Sequence, residues 1–182
     1  MIGLMDTPPE RLTHASIELR RWKEADAGLC FRLVSESLDH LRPWMPWATS
    51  DYGPAEAAEY LQRCEQDWAA GTAFQYLILA AGQPAGSAGL MARIRDGGLE
   101  IGYWVHPGFT GRGVATSAAA ALTEAAFTLP AIDHVEIHHD LLNLASGRVP
   151  EKLGFSPVGT RAASSALAPG DSGTVRVWRI TR

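Results

Sequence analysis

Three glycines lie in a bend between an apolar run and an alanine-rich segment, in the stretch HPGFTGRGVATSAAAALTEAAF at residues 106–127. The run before the bend is typical of a strand, and the segment after it is typical of a helix. A strand that turns through glycines into a helix brings backbone N–H groups together at the helix N-terminus, where anions, usually phosphates, bind. Arg112 adds a cationic donor. The alternative is a glycine-rich turn that only folds the strand onto the helix.

Two common phosphate-binding motifs do not fit this bend. A P-loop needs lysine followed by serine or threonine after its last glycine, and this chain has Val114, Ala115 and Thr116 there. The dinucleotide-binding motif needs glycine or alanine where Thr116 stands. It also normally opens the first strand–helix unit, whereas three or four strands come first here. A second motif is needed to identify the ligand.

That second motif is NLASGRVPEKLGF at residues 143–155. Together with LEIGYWVHPGFTGRGVAT at 99–116, it closely resembles the GNAT superfamily of acyl-coenzyme A-dependent N-acyltransferases, in particular the branch that acetylates the N-termini of ribosomal proteins. The resemblance covers most of the chain, from SIELRRW at 16–22 through the loop RPWMPW at 42–47 to the closing strands. It implies that the glycine bend binds the pyrophosphate of coenzyme A.

The loop motif of the family begins with glutamine or arginine, where Thr110 stands here, and continues at Gly113 and Ala115. The backbone amides of residues 111–115 need no particular side chain, so a pyrophosphate suits the bend despite that departure. The residues that the resemblance implies in coenzyme binding are Trp104, Val105, Gly111, Arg112, Gly113, Val114, Ala115, Thr116 and Asn143.

Acyl transfer to an amine requires a neutral amine, a polarised thioester carbonyl and a proton for the departing thiolate. The resemblance makes Glu100 the candidate general base and Ser146 the candidate general acid. A backbone amide near Trp104 or Val105 is expected to polarise the carbonyl. The alternatives are an exposed strand carboxylate at Glu100, and simple capping of a helix by Asn143 and Ser146.

The loop RPWMPW sets two tryptophans and a methionine between prolines. Aromatic side chains in such a loop commonly cap a core. The resemblance instead places this loop beside the acceptor amine. Trp44, Met45 and Trp47 are therefore expected to form a wall of the substrate pocket.

Histidines at 138 and 139 precede Asp140 and raise the question of a metal site. Neighbouring residues of a strand point to opposite faces, and no third ligand is spaced to join His138 and His139, so no metal is expected. Cys30 and Cys64 fall on apolar helical stripes, where we expect small buried hydrophobes and neither a disulfide nor a metal knuckle.

The expected reaction is transfer of an acetyl group from acetyl-CoA to a primary amine. No cysteine or serine stands in a nucleophile motif, so the amine attacks directly in a ternary complex. The acceptor is the N-terminal α-amine of a protein or peptide, or a small-molecule amine. Two alternatives stay open: another short acyl donor such as succinyl-CoA, and a non-catalytic coenzyme A-binding or interaction module.

Hydrophobic periodicity supplies the elements that position these residues. Helices are predicted from Glu24 to before Pro43 and over 54–71, 112–127 and 143–153. Strands are predicted at 16–22, 73–81, 84–95, 99–107, 132–140, 155–162 and 173–181. This order predicts an α/β protein, and the resemblance implies the GNAT fold: a mixed, mostly antiparallel central sheet with splayed middle strands, flanked by about four helices.

A length of 182 residues suits a single domain, in which residues 1–14 are expected to be poorly ordered or peripheral. The net charge of -4, with both signs interspersed, gives no basic stripe, so nucleic acid is not an expected partner. No apolar run is long enough for a membrane span, and the first residues lack the pattern of an export signal, so we expect a cytoplasmic protein. A homodimer is compatible with the sequence but not required by it.

Overall fold

The structure is a computed structural model that describes residues 7–94, 97–163 and 167–182. Its strands in those ranges are β1 (Arg11–His14), β2 (Ile17–Arg21), β3 (Ala73–Ala80), β4 (Gln83–Met91), β5 (Gly98–Val105), β6 (His134–Asp140), β7 (Ser156–Ala162) and β8 (Thr174–Thr181). They form one mixed sheet in the order β1-β2-β3-β4-β5-β6-β8-β7. The pairing is antiparallel except between β5 and β6, which confirms the predicted α/β class.

The α-helices in the described ranges are α1 (Ala27–Ser35), α2 (Leu38–Leu41), α3 (Pro54–Ala70), α4 (Val114–Thr128) and α5 (Leu144–Lys152). The helix predicted from Glu24 is present but divided, with a 3₁₀ turn before α1 and a break before α2. At that break the buried hydroxyl of Ser37 donates to the carbonyl oxygen of Leu33 at 2.7 Å. The other predicted helices agree with α3, α4 and α5 to within two residues at each end.

The two middle strands separate halfway along their length. β5 and β6 are paired from Gly98 opposite His134 to Ile101 opposite Ile137. Beyond that point β5 continues to Val105 beside β4, and β6 continues to Asp140 beside β8. The splayed middle strands implied by the family resemblance are therefore present.

Successive side chains of each strand point to opposite faces of the sheet, and the apolar ones form a packed layer on each face. On one face Tyr76 and Ile78 pack in the cluster that contains the alanine-rich helix α4. On the other face Leu77 packs with α1 and α3 in a second cluster that also buries Trp22. Small side chains let α4 approach the sheet closely, since its four alanines at 118–121 are all buried. Cys30 and Cys64 are free and buried in the second cluster, as expected.

β1 is a strand that the sequence analysis did not predict. It forms the edge of the sheet, antiparallel to β2, after a turn in which Ala15 has a φ of 52°. Residues 1–6 of the segment 1–14 lie outside the described residues, and so does Arg95, the end of the strand predicted at 84–95. The single domain over 1–182 stays a prediction. No helix in the described ranges is both long enough and apolar enough to cross a membrane.

Candidate active site

A cavity of about 840 Å³ opens where β5 and β6 separate. Its walls include the loop at 44–47, the second half of β5, the end of β6 and the start of α5. The predicted site residues that line it are Trp44, Met45, Trp47, Glu100, Trp104, Asn143 and Ser146. Sequence-distant candidates are thus brought together in one cavity, while Val105 and residues 111–116 lie beyond it, at the turn from β5 into α4.

The cavity passes through the sheet. Glu100 and Trp104 belong to the face of β5 that carries α1 and α3, and Tyr103 belongs to the face that carries α4. All three nevertheless line the same cavity, because β6 no longer covers this edge of β5. Two substrates can therefore meet in the gap from opposite faces of the sheet.

Glu100 is buried, with 4% of its surface exposed, so its interpretation as an exposed strand carboxylate is wrong. Arg93 donates from Nε to Oε2 at 2.8 Å and from Nη2 to Oε1 at 2.5 Å. Nδ1 of His138 lies 3.3 Å from Oε2. A buried carboxylate is retained in its charged form only with partners of this kind. Glu100 is thus a paired anion that faces the cavity.

The start of α5 is fixed by two polar contacts. Oδ1 of Asn143 accepts from the backbone N–H of Ser146 at 3.2 Å, so Asn143 caps the helix. The hydroxyl of Tyr103 donates to the carbonyl oxygen of Ser146 at 2.9 Å and lies 3.3 Å from its Oγ. Burial raises the pKa of Tyr103 to about 12, so its hydroxyl keeps its proton. Tyr103 is not among the site residues predicted from the sequence.

The glycine bend is a 3₁₀ turn followed by the first turn of α4. Gly111 and Gly113 have φ values of 73° and 75°, a left-handed backbone that glycine adopts without strain. A Cβ on either glycine would meet no atom within 4 Å, so the glycines keep an outer side of the bend open. Open space beside free N–H groups at a helix N-terminus fits a pyrophosphate. The hydroxyl of Thr110 donates to the carbonyl oxygen of Pro107 at 2.9 Å within the turn.

The aromatic loop forms one wall of the cavity. Trp47 is 43% exposed, and its ring centroid lies 6.4 Å from that of Trp104 and 6.0 Å from that of Tyr52. Trp47 therefore does not serve as a cap on the core. The backbone N–H of Gly170 donates to the carbonyl oxygen of Pro43 at 2.8 Å, which joins this loop to the β7–β8 connection.

His138 and His139 are adjacent on β6 and point to opposite faces, as expected. Nδ1 of His139 donates to the carbonyl oxygen of Asp140 at 2.7 Å, and Nε2 accepts from the indole of Trp178 at 3.0 Å. Burial lowers the pKa of His139, which agrees with a neutral ring. No cluster of three or more histidine, cysteine or acidic side chains suited to a metal ion occurs in the described parts of the chain.

A buried polar row beside Glu100 was also missed. His138 lies between Glu100 and Glu136, and Arg179 donates from Nε to Oε1 of Glu136 at 2.8 Å. Period-two spacing places Glu136 and His138 on one face of β6. That spacing is visible in the sequence, but the parallel register with Glu100 is not.

Comparison with known proteins agrees with this geometry. The family described as the acetyltransferase (GNAT) domain matches residues 16–156. YdaF of Bacillus subtilis (strain 168), whose name assigns it provisionally to the ribosomal N-acetyltransferases, is 28% identical over 155 residues, which cover 76% of this chain and 77% of YdaF.

Solved structures share the fold. RimL, a ribosomal L7/L12 alpha-N-protein acetyltransferase in complex with coenzyme A, superposes with a TM-score of 0.84 at 24% identity, over 94% of this chain and 98% of RimL. The microcin C7 self-immunity acetyltransferase MccE, in complex with acetyl-CoA and AMP, superposes with a TM-score of 0.83 at 18% identity, over 92% of this chain and 93% of MccE. Mycobacterium smegmatis RimJ, in complex with CoA-disulfide, superposes with a TM-score of 0.80 at 22% identity, over 98% of this chain and 88% of RimJ.

Proposed function

We propose that this chain, which belongs to the GNAT acetyltransferase family, acts on the N-terminal α-amine of a peptide or protein. Family membership makes it an acyltransferase that moves an acetyl group from acetyl-CoA to an amine. The observation that carries the proposal is the cavity through the sheet, with Glu100 on one face and Ser146 near the other. The names of YdaF, RimL and RimJ support an N-terminal amine as acceptor.

Coenzyme A fits the α4 face of the gap. The amides of residues 111–115 would hold its pyrophosphate at the N-terminus of α4, with Arg112 as a further donor. When bound, acetyl-CoA supplies the thioester carbonyl and the thiolate leaving group. Beyond Ile101 the edge of β5 that faces the gap has lost its pairing with β6. The N–H of His106 donates to Ala85 on β4, so by alternation the N–H of Trp104 also faces β4 and that of Val105 faces the gap, where it is available to polarise that carbonyl.

The acceptor fits the opposite face of the gap. Aromatic side chains of Trp44, Trp47 and Tyr52 line the cavity there, together with the carboxylates of Glu56 and Glu59 on α3. Aromatic faces and carboxylates both attract the ammonium group of a peptide N-terminus. Glu100 takes a proton from that ammonium, directly or through water, and leaves a neutral amine positioned for attack.

Ser146 supplies the proton that the departing thiolate needs. Its Oγ lies 3.3 Å from the hydroxyl of Tyr103, which retains its own proton at neutral pH. Asn143 contributes by capping α5 and so fixing the backbone of Ser146. A contact between Asn143 and the coenzyme stays part of this proposal, as does a cytoplasmic location.

The test is a thiol-release assay combined with mass spectrometry of a lysine-free peptide that has a free N-terminus. We expect one acetyl group on that peptide. We expect none on a second, matched peptide in which the N-terminus is blocked and an internal lysine is present. Acetylation confined to small amines would overturn the proposed acceptor. Coenzyme binding without thiol release from any acyl donor and amine would instead favour the non-catalytic module, and release from succinyl-CoA alone would change the donor.

A further inference from the structure

His138 lies between two buried carboxylates on the acceptor face of the sheet. Its Nδ1 is 3.3 Å from Oε2 of Glu100, and its Nε2 is 2.6 Å from Oε2 of Glu136. All three side chains are only 6–7% exposed. The register of β5 and β6 produces this row, because Glu100 is paired with Glu136 and His138 follows on the same face.

The two nitrogens of His138 have different surroundings. A carboxylate only accepts hydrogen bonds, so Nε2 keeps its hydrogen toward Glu136. Nδ1 has two neighbours of opposite kind: Nη2 of Arg161 at 3.0 Å, which donates, and the carboxylate of Glu100, which accepts. A bare Nδ1 accepts from Arg161, and a protonated Nδ1 donates to Glu100. Both protonation states of Nδ1 therefore have a partner in place.

The reaction releases one proton in each turnover, and a group in the site must take it up. A primary ammonium loses two protons when it becomes an amide, and only one of them is taken up by the thiol. The other must leave the site in every turnover, and Glu100 holds it first if Glu100 is the base. Because Glu100 is 4% exposed and faces a cavity that the acceptor fills, direct loss of this proton to water is hindered.

We propose that His138 stores this proton during the turnover, an inference that rests on the proposed function of Glu100 as the base. The O–H bond of protonated Glu100 breaks as an N–H bond forms at Nδ1, so Glu100 becomes a carboxylate again and His138 becomes an imidazolium. When the product has left and water enters the cavity, Nδ1 gives the proton to water and again accepts from Arg161. Throughout the cycle Nε2 keeps its hydrogen and donates it in a hydrogen bond to Glu136.

In this scheme His138 acts through Glu100 and is a positioning residue, while Glu136 fixes its tautomer and stabilises the imidazolium, as the third member of a catalytic triad does. The other charged groups nearby are three arginines. Arg161 is 3.0 Å from Nδ1 and lies on the exposed strand β7, Arg93 binds Glu100, and Arg179 binds Glu136. The side chains of Arg93 and Arg179 are 61% and 37% exposed, and Arg161 is exposed, so water screens their charges. The residue opposite His138 on β8 is Val177, which carries no charge.

The first test compares His138→Gln with His134→Gln, which replaces a histidine on the same face of the same strand, outside the cavity. For His138→Gln we expect kcat to fall about 10- to 100-fold, at or below the lower end of general acid–base effects, while both KM values stay within about twofold. The acidic limb of the kcat profile should move to lower pH, because a carboxylate is then the last group to take the proton. His134→Gln should keep the profile of the unmodified enzyme.

The second test measures whether added imidazole restores activity to a variant that lacks the His138 side chain. Added imidazole should restore part of the kcat of His138→Ala in a concentration-dependent way, and it should not raise the kcat of His134→Ala. A merely structural role for His138 predicts that imidazole gives no rescue. It also predicts an equal loss of kcat at every pH, accompanied by raised KM values. Absence of rescue, or a pH-independent loss with raised KM values, overturns the inference.

A third measurement uses the unmodified protein and so does not depend on how the variants fold. Nitrogen-15 NMR of the histidine rings at alkaline pH should show Nε2 of His138 protonated and Nδ1 bare, and the opposite tautomer would overturn the inference. Failure of the inference is distinguishable from failure of the proposed function. If Glu100→Gln moves the acidic limb of kcat/KM to higher pH while His138→Gln behaves like His134→Gln, the storage of the proton on His138 is wrong and Glu100 remains the base. If Glu100→Gln leaves the limb in place, Glu100 is not the base.

Discussion

The hydroxyl of Tyr103 donates a hydrogen bond to the carbonyl oxygen of Ser146 at 2.9 Å. This bond spans the gap between β5 and α5, next to the point where β5 and β6 separate. Tyr103 thus sets the distance between the strand that carries the candidate base and the helix that carries the candidate acid.

Replacing Tyr103 by phenylalanine removes this bond and little else. We expect kcat to fall about 2- to 10-fold, the equivalent of one hydrogen bond, with coenzyme affinity nearly kept. Because the pKa of Tyr103 is raised to about 12, the unmodified enzyme should show no alkaline loss of activity from this group below about pH 10. Steady-state kinetics across that range measures both effects. A loss above 100-fold would assign Tyr103 a direct proton-transfer role.

Glu100→Gln keeps the shape of the side chain and removes its basicity. We expect the largest loss of kcat/KM near neutral pH, where the acceptor is mostly ammonium, and a smaller loss at alkaline pH, where neutral amine is already present. The acidic limb of the kcat/KM profile should therefore move to higher pH, toward the pKa of the acceptor amine. A loss of equal size at every pH, with weaker coenzyme binding, would show that Glu100 only positions ligands.

Ser146→Ala should lower kcat about 10- to 1,000-fold while coenzyme affinity is nearly kept, because the acid acts on the leaving group and not on binding. This variant should keep the acidic limb of the unmodified enzyme in place, whereas Glu100→Gln moves it to higher pH. Kinetics combined with calorimetry of coenzyme binding separates the two variants. Weaker coenzyme binding by Ser146→Ala would indicate a coenzyme contact in place of acid catalysis.

Gly113→Asp should reduce coenzyme A binding below detection, because it adds bulk and a negative charge where the pyrophosphate is proposed to bind. Aspartate is among the residues that tolerate a positive φ, so the fold should survive. The matched control is Gly82→Asp in the β3–β4 turn, since Gly82 has the same φ of 75° and equally open surroundings. Calorimetry of both variants is the measurement, and unchanged affinity in a folded Gly113→Asp would contradict the site.

Trp44→Ala should affect the acceptor more than the coenzyme. We expect the acceptor KM to rise about 5- to 20-fold, as for the loss of an aromatic contact in a binding site, with the dissociation constant of coenzyme A within about twofold. The two constants can be obtained from initial rates and calorimetry on the same preparation. A raised coenzyme dissociation constant with an unaltered acceptor KM would remove Trp44 from the acceptor pocket.

The sequence predicted those parts of the fold that depend on local patterns. Apolar spacing located α3, and the glycines located the start of α4. It missed β1, because four residues of mixed polarity give no periodic signal and the turn at Ala15 contains no glycine. The division of the first helix was also missed, since it follows from a tertiary environment that buries Ser37.

The residues of the candidate site could likewise be predicted only where a local motif contains them. Glu100 and Ser146 were located because each lies inside a motif. The contacts of Glu100 with Arg93 and His138 depend on the pairing of strands that are distant in sequence, and alternation alone does not say which face of β5 is buried. Thr110 departs from the family motif, and the structure uses its hydroxyl to close the turn.

β8 follows β7 in the chain but lies between β6 and β7 in the sheet. While the protein is being translated, β6 is made well before its partner on that side, and its pairing with β5 is limited to the four positions 98–101. Trp178 and Arg179, which bind His139 and Glu136, arrive only with β8. A nascent chain therefore has the residues of the glycine bend, where we propose that coenzyme A binds, before β6 can acquire these partners, and we expect catalytic competence to be gained late in synthesis.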